Sequence, residues 1–299
     1  VPKLKQFIPE WRDGAAPSYK PSTLATMESS IRAWLLPVLG ETPIQRIDTR
    51  RVQQLLISMK GRKKKTIQNT VNDLFAILRA ARRWKYTVPV VKWRDLYIPV
   101  AEPPAEGEFF TPHQLTSILA EFVGRKPWET FFTLLATTGL RASEILGLRT
   151  QDLDFQRGLI HIKQAAWEGQ IQSVKTVSSR NSVPMTGIVA EKLKAHLVGH
   201  THELVFVNRN GRPYSRNKIV EKILRPVLDK IGVERKGKRV GLHAFRHSLA
   251  SMLIQSASPV VAQRQLRHKD ASTTLGLYGH LIGNEHRNAV EQVQQLISW

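Results

Sequence analysis

Apolar residues in the first third of the chain recur at helical rather than strand spacing. Val52, Leu55, Leu56 and Met59 share one face, with Asp48 placed to cap the start and Gly61 to close the end. Ile67, Val71, Leu74 and Leu78 repeat the pattern in the next segment. A further helix opens at Pro21-Ser22-Thr23-Leu24 and ends near Leu36-Pro37, and a short first one covers Leu4–Trp11. The four together predict a compact helical domain over residues 1–100.

The periodicity breaks at Ile98-Pro99-Val100-Ala101-Glu102-Pro103-Pro104-Ala105-Glu106-Gly107-Glu108. Its prolines remove backbone donors and its acidic residues offer no core face, so residues 101–108 read as a linker and 109–299 as a second domain. Thr111-Pro112-His113-Gln114 has the residue types of a capping box, followed by Leu115, Ile118, Leu119 and Phe122 on one helix face. The apolar run Phe131–Ala136 predicts a buried helix stopped by Gly139, with Arg141 just beyond it. Strand-like segments at Leu159–Gln164 and Ile171–Thr176 flank Glu168-Gly169, a hairpin signal. From Gly241 onward the chain reads helical again, with a last helix over Asn284–Trp299. The expected class is mainly α with a small β-sheet.

Composition narrows the partner. Among 299 residues, 45 Lys and Arg oppose 24 Asp and Glu, a net charge of +21. Residues 1–100 carry 19 basic against 7 acidic side chains, the denser excess. Such a balance favours a polyanion, and nucleic acid is the commonest one. No apolar run reaches the roughly 18 residues of a spanning helix, so no membrane partner is expected. The absence of cysteine excludes disulfides, thiolate catalysis and zinc-finger sites, and agrees with a reducing cytoplasm. The chain starts at Val1 rather than Met, which leaves open whether an upstream module precedes it.

Five scattered side chains carry the candidate chemistry: Arg141, His243, Arg246, His268 and Tyr278. Arginines clamp non-bridging phosphate oxygens with forked hydrogen bonds, and histidines move protons near neutral pH. A phenolic oxygen can become the covalent nucleophile. These are the parts that attack on a phosphodiester requires without metal or cofactor. His243 and Arg246, three apart, share a helix face. Each residue also has a plainer reading, as when Arg141 pairs with Glu144 one turn later. His196, His200 and His202 have metal-like spacing but no acidic partner, and read as an exposed helix end. His243 and His247 are four apart, yet lack the glutamate of a metalloprotease motif. Lys63, Lys64 and Lys65 read either as a solvated helix start or as phosphate contacts.

The order and flanks of these residues resemble the tyrosine recombinase (phage integrase) family: Thr138-Gly139-Leu140-Arg141-Ala142-Ser143-Glu144, His243-Ala244-Phe245-Arg246, Leu266-Arg267-His268 and Leu277-Tyr278-Gly279-His280. The resemblance implies a helical core-binding domain followed by a mixed α+β catalytic domain, closing as a C-shaped clamp on duplex DNA. It implies a site-specific recombinase that cuts and rejoins DNA through a 3′-phosphotyrosyl link at Tyr278. It assigns Arg141 and Arg246 to the phosphate clamp, His243 to proton transfer, His268 to support at the phosphate and Glu144 to orienting Arg141. Lys175, before Arg180-Asn181-Ser182-Val183-Pro184-Met185, matches the general-acid lysine hairpin, with Lys163 as competitor and Arg180 as a DNA contact. A tetramer on DNA, a monomer in solution, accessory DNA-bending proteins and a cytoplasmic, nucleoid-associated location complete the expectation. Two departures stand out: Ala244 replaces a common aspartate, and Arg267 replaces a customary glycine, where it crowds the turn or adds a phosphate contact. A type IB topoisomerase and a DNA binder that does not cut are the rival readings.

Overall fold

The computed structural model describes residues 1–99, 109–173, 182–233 and 240–267. The chain divides into two compact units, Val1–Glu106 and Gly107–Trp299. Helices dominate both, and a small antiparallel sheet lies in the second.

The amino-terminal unit holds four helical rods. The first is α1 (Leu4–Gly14), the second a bent rod made of α2 (Pro21–Ser30), a π turn (Ile31–Leu35) and α3 (Leu36–Leu39), and the last two are α4 (Thr49–Ser58) and α5 (Lys64–Arg83). Their buried stripes (Leu4, Phe7, Ile8 and Trp11 on α1; Ile67, Val71, Leu74 and Leu78 on α5) meet in one core. Asp48 caps α4 as expected, its carboxylate accepting from Arg51 N at 2.9 Å. The second rod does not stop at Pro37 but continues to Leu39. The π turn is the reason: shifting the hydrogen-bond ladder by one residue lets a proline without N–H follow with little strain. The same device recurs in the other unit, where a π turn (Val220–Leu224) precedes Pro226.

In the carboxy-terminal unit the capping box forms as read. Gln114 N donates to Thr111 Oγ1 at 3.2 Å and Thr111 N to Gln114 Oε1 at 2.9 Å, opening α6 (Pro112–Ala120). Helix α7 (Trp128–Thr138) is buried almost all round, because it runs through the centre of the core. Phe132 stacks on Phe122 at 4.1 Å and touches Phe245 at 5.5 Å, docking α7 against α12 (His243–Ser256). A short helix, α8 (Ala142–Leu146), leads to a three-stranded sheet of β1 (Leu153–Asp154), β2 (Leu159–His161) and β5 (Ser182–Pro184) in the order β1-β2-β5, with Ile160 opposite Val183. A separate hairpin pairs β3 (Gln164–Trp167) with β4 (Gln170–Ser173).

The turn at Glu168-Gly169 is thus found, with φ of 45° and 77°, but the strands differ from expectation. Leu159–Gln164 is not one strand, since Ile162 and Lys163 break it and Gln164 starts the hairpin. The hairpin docks on α8: Gln164 Nε2 donates to Gly147 O at 2.9 Å, and any Cβ on Gly147 would stand 2.8 Å from Ala165 Cα. Only glycine permits that approach. Further helices among the described residues of the unit are α9 (Gly187–Leu197), α10 (Arg216–Ile219), α11 (Arg225–Lys230) and α13 (Pro259–Leu266). Among the described residues, no helix is long and apolar enough to cross a membrane.

Candidate active site

Three chain segments converge around Arg141. Helix α7 stops because Gly139 turns left-handed, with φ of 70° and ψ of 10°, and Thr138 Oγ1 accepts from Leu140 N at 3.2 Å. That sharp stop places Arg141 at the cap position of α8, where its backbone N donates to Glu144 Oε2 at 2.8 Å. The Arg141 Nη1 donates to Glu144 Oε1 at 2.9 Å, so one carboxylate fixes both the cap and the guanidinium. The arginine side chain stays 37% exposed while Glu144 is only 4% exposed. The plainer reading of Arg141, an ion pair with Glu144, is therefore present in the fold.

From α12, Arg246 reaches the same loop. It is buried, and its two terminal nitrogens donate to Gly139 O and Leu266 O. Gln265 Nε2 donates to Thr138 O at 2.8 Å, tying α13 to the end of α7. Just past α13, Arg267 sits left-handed at φ of 54° and ψ of 43° and donates from Nη2 to Glu144 Oε2 at 2.5 Å. Arg267 therefore neither projects from the turn nor reaches outward for a phosphate; it is buried in an internal ion pair. Burial pushes the Glu144 carboxyl up, but Arg267, the Arg141 backbone N–H and the Arg141 charge outweigh it and leave it below the ordinary range.

His243 opens α12 with an exposed edge, and its ring meets His247 edge-on at 4.6 Å. Desolvation by the surrounding protein, with the positive charges of His247, Arg246, Arg141 and Arg216, lowers its pKa to about 4. Solvent at the exposed edge screens part of that field. The imidazole is neutral at pH 7 and able to accept a proton.

Arg141, Glu144, His243 and Arg246 are thus gathered in one place. Lys175, Arg180, His268 and Tyr278 lie outside the described residues, as does the segment 284–299. Lys163 is engaged elsewhere, 3.6 Å from the buried Asp152 carboxylate. Lys63, Lys64 and Lys65 stand exposed at the start of α5 in the other unit. His196 and His200 are not an exposed helix end. Their Nε2 atoms bond Val205 O and Leu204 O at 2.8 Å each, and His196 stacks on Phe206, so the rings pin the following segment to α9. Among the described residues, no group of three or more His, Cys, Asp or Glu side chains is placed to hold a metal ion.

Sequence reasoning missed two participants, Arg216 and Gln265, and gave Arg267 a different role. Arg216, on the first turn of α10, adds its charge at His243; the only signal was a cluster of basic residues (Arg216, Lys218, Lys222) after Ser215. Gln265 carried no signal at all. Arg267 carried one, as a bulky residue where a left-handed glycine was expected.

A family model described as "Phage integrase family" matches residues 108–285, and another, "Phage integrase, N-terminal SAM-like domain", matches residues 3–60. The tyrosine recombinase XerD of Lacticaseibacillus casei is 32% identical over 161 residues, 53% of this chain and 52% of that protein. A XerC-like tyrosine recombinase of Caldanaerobacter subterraneus subsp. tengcongensis is 24% identical over 321 residues, covering 93% of this chain and 79% of the relative. The chain spans about half the length of the XerD relatives it matches. The integrase of transposon Tn1549, solved with transposon right end DNA, superposes with a TM-score of 0.75 over 98% of this chain and 99% of its own, at 22% identity. That likeness shows the shared fold. Since the integrase match extends over more than half of the sequence and encloses the Arg141–His243–Arg246 cluster, the chain belongs to the phage integrase (tyrosine recombinase) family.

Proposed function

We propose that this chain is a site-specific DNA recombinase that cuts and rejoins duplex DNA through a covalent 3′-phosphotyrosyl intermediate at Tyr278. The observation that carries the reading is the gathering of Arg141, Arg246 and a neutral His243 from distant parts of the sequence into one cluster. In the proposed reaction Arg141 and Arg246 bind the non-bridging oxygens of the scissile phosphate, and His243 takes part in proton transfer at the phenol. Attack by the Tyr278 oxygen on phosphorus breaks the bond to the 5′-oxygen, which leaves with a proton from Lys175. His268 supports the charge on the phosphate. A second strand's 5′-hydroxyl then reverses the step. The bond energy is retained in the phosphotyrosine, so the chemistry calls for neither ATP nor metal.

The remaining assignments follow from the same reading. Residues 1–100 form the core DNA-binding domain, with Lys63, Lys64 and Lys65 on phosphates; residues 101–108 are the linker and 109–299 the catalytic domain, with Arg180 on DNA. The working form is a tetramer on DNA, as the lambda integrase solved on a Holliday junction is, with accessory DNA-bending proteins as further partners and the nucleoid as its place in the cell. The test is to recover and sequence DNA covalently trapped by the wild-type protein in cells, with Tyr278→Phe as control. A protein-linked strand that depends on Tyr278 is expected at a recurrent sequence. Adducts that persist in Tyr278→Phe would remove the nucleophile assignment, and relaxation of supercoils without strand exchange would favour a topoisomerase.

A further inference from the structure

We infer that Arg267 is a positioning residue that holds the Arg141 guanidinium in place through Glu144, an inference that rests on the recombinase reading for its catalytic consequence. The carboxylate of Glu144 is divided between two arginines. Its Oε1 accepts from Arg141 Nη1 at 2.9 Å, and its Oε2 accepts from Arg267 Nη2 at 2.5 Å and from Arg141 N at 2.8 Å. Without Arg267, Oε2 would keep only the neutral backbone N–H of Arg141. A cation on that oxygen adds a charge-assisted bond that holds the plane of the group more firmly and therefore the direction in which Oε1 points. Arg141, the partly exposed member, receives that direction.

The backbone at Arg267 argues that the side chain, rather than the turn, is what this position supplies. At φ of 54° any residue but glycine is disfavoured, by roughly 1–2 kcal/mol. If the site needed only a helix stop, glycine would serve better. Instead the position carries a long cation whose side chain is 2% exposed and which a buried carboxylate must neutralise. The link also joins segments already held together, since Arg246 spans Gly139 O and Leu266 O. Arg267 thus adds a charged brace between the end of α13 and the cap of α8. The chain passes from Arg267 directly into His268.

The test compares Arg267→Gly and Arg267→Lys with wild type, using the full chain. Three quantities are measured: DNA affinity, the rate of adduct formation at saturating DNA, and the Nε–Hε resonance of Arg141 by NMR, assigned with Arg141→Lys. In Arg267→Gly the Arg141 signal should shift or broaden, and adduct formation should slow on the order of tenfold or more, while affinity changes far less. Arg267→Lys, which restores the charge but not the planar fork, should recover part of both effects. An Arg141 resonance unmoved in Arg267→Gly would overturn the inference whatever the DNA assays show. A moved resonance with an unchanged adduct rate would overturn it too. Absence of any adduct from the wild-type protein would instead sink the recombinase reading, while the resonance still decides whether Arg267 positions Arg141.

Discussion

Replacing Glu144 with alanine should destabilise the carboxy-terminal unit far more than loss of an ordinary ion pair, and the two arginine partners explain how much. Arg141 is 37% exposed, so without Glu144 it rehydrates, and that half of the interaction costs no more than about 1 kcal/mol. Arg267 cannot rehydrate, because its side chain is 2% exposed. Breaking a buried ion pair by removing one partner costs about 3–5 kcal/mol. For a unit the size of Gly107–Trp299, each kcal/mol lowers the melting temperature by roughly 2–4 °C, so a fall of about 6–24 °C is expected. Calorimetry of the full chain at pH 7 reads this directly. The double variant Glu144→Ala, Arg267→Met removes both members of the buried pair and should recover at least half of the loss. A fall below about 2 °C in the single variant, or no recovery in the double one, would refute the view that Glu144 chiefly neutralises Arg267. The pH dependence has a definite sign. The folded-state pKa of Glu144 is lowered from its ordinary 4.5, so its stabilisation is present above that value and disappears as pH falls through the folded one. The wild type should therefore lose its advantage over Glu144→Ala below about pH 4.5.

Three further outcomes are expected. Arg216→Ala removes the smallest of the charges that depress His243, so the His243 ring titration followed by NMR should move upward from about 4; a downward or absent shift would show that the Arg216 charge does not reach the ring. Gly139→Ala places a Cβ 3.0 Å from Leu266 Cδ2 on a backbone at φ of 70°, and should cost at least about 1–2 kcal/mol in urea unfolding, whereas wild-type stability would contradict the left-handed stop. If Lys63, Lys64 and Lys65 all touch phosphates, their joint replacement by alanine should flatten the salt slope of DNA binding by about 2.7, and an unchanged slope would return them to solvent.

Local physics made much of this molecule readable in advance. The Asp48 cap, the Thr111–Gln114 box, the apolar faces of α4 and α5 and the stop at Gly139 depend on neighbours three or four positions away, and all of them form. What escaped reading depends on packing rather than on helical spacing. The π turns before Pro37 and Pro226 keep a helix going where proline rules end it, and packing on both sides selects that outcome. His196 and His200 looked exposed because no periodic signal shows that the segment just after α9 folds back to take their bonds at Val205 O and Leu204 O. Arg267 lies 123 residues from Glu144, and no periodicity announces such a pair. In the site, the members Arg141, Glu144, His243 and Arg246 were legible through motif spacing, but the carbonyls that seat Arg246 were not.

That seating matters for orientation. Gly139 O, at the end of α7, and Leu266 O, at the end of α13, each accept from one terminal nitrogen of Arg246, so two separate segments aim its guanidinium. Arg141 and Arg267 share the Glu144 carboxylate, and His243 stays neutral at pH 7. In the proposed reaction a phosphodiester brings one negative charge to this cluster, and the five-coordinate state formed by nucleophilic attack brings a second. Guanidinium donors fixed before the reaction favour the second state over the first, because the added charge meets donors already in place and does not have to reorganise solvent.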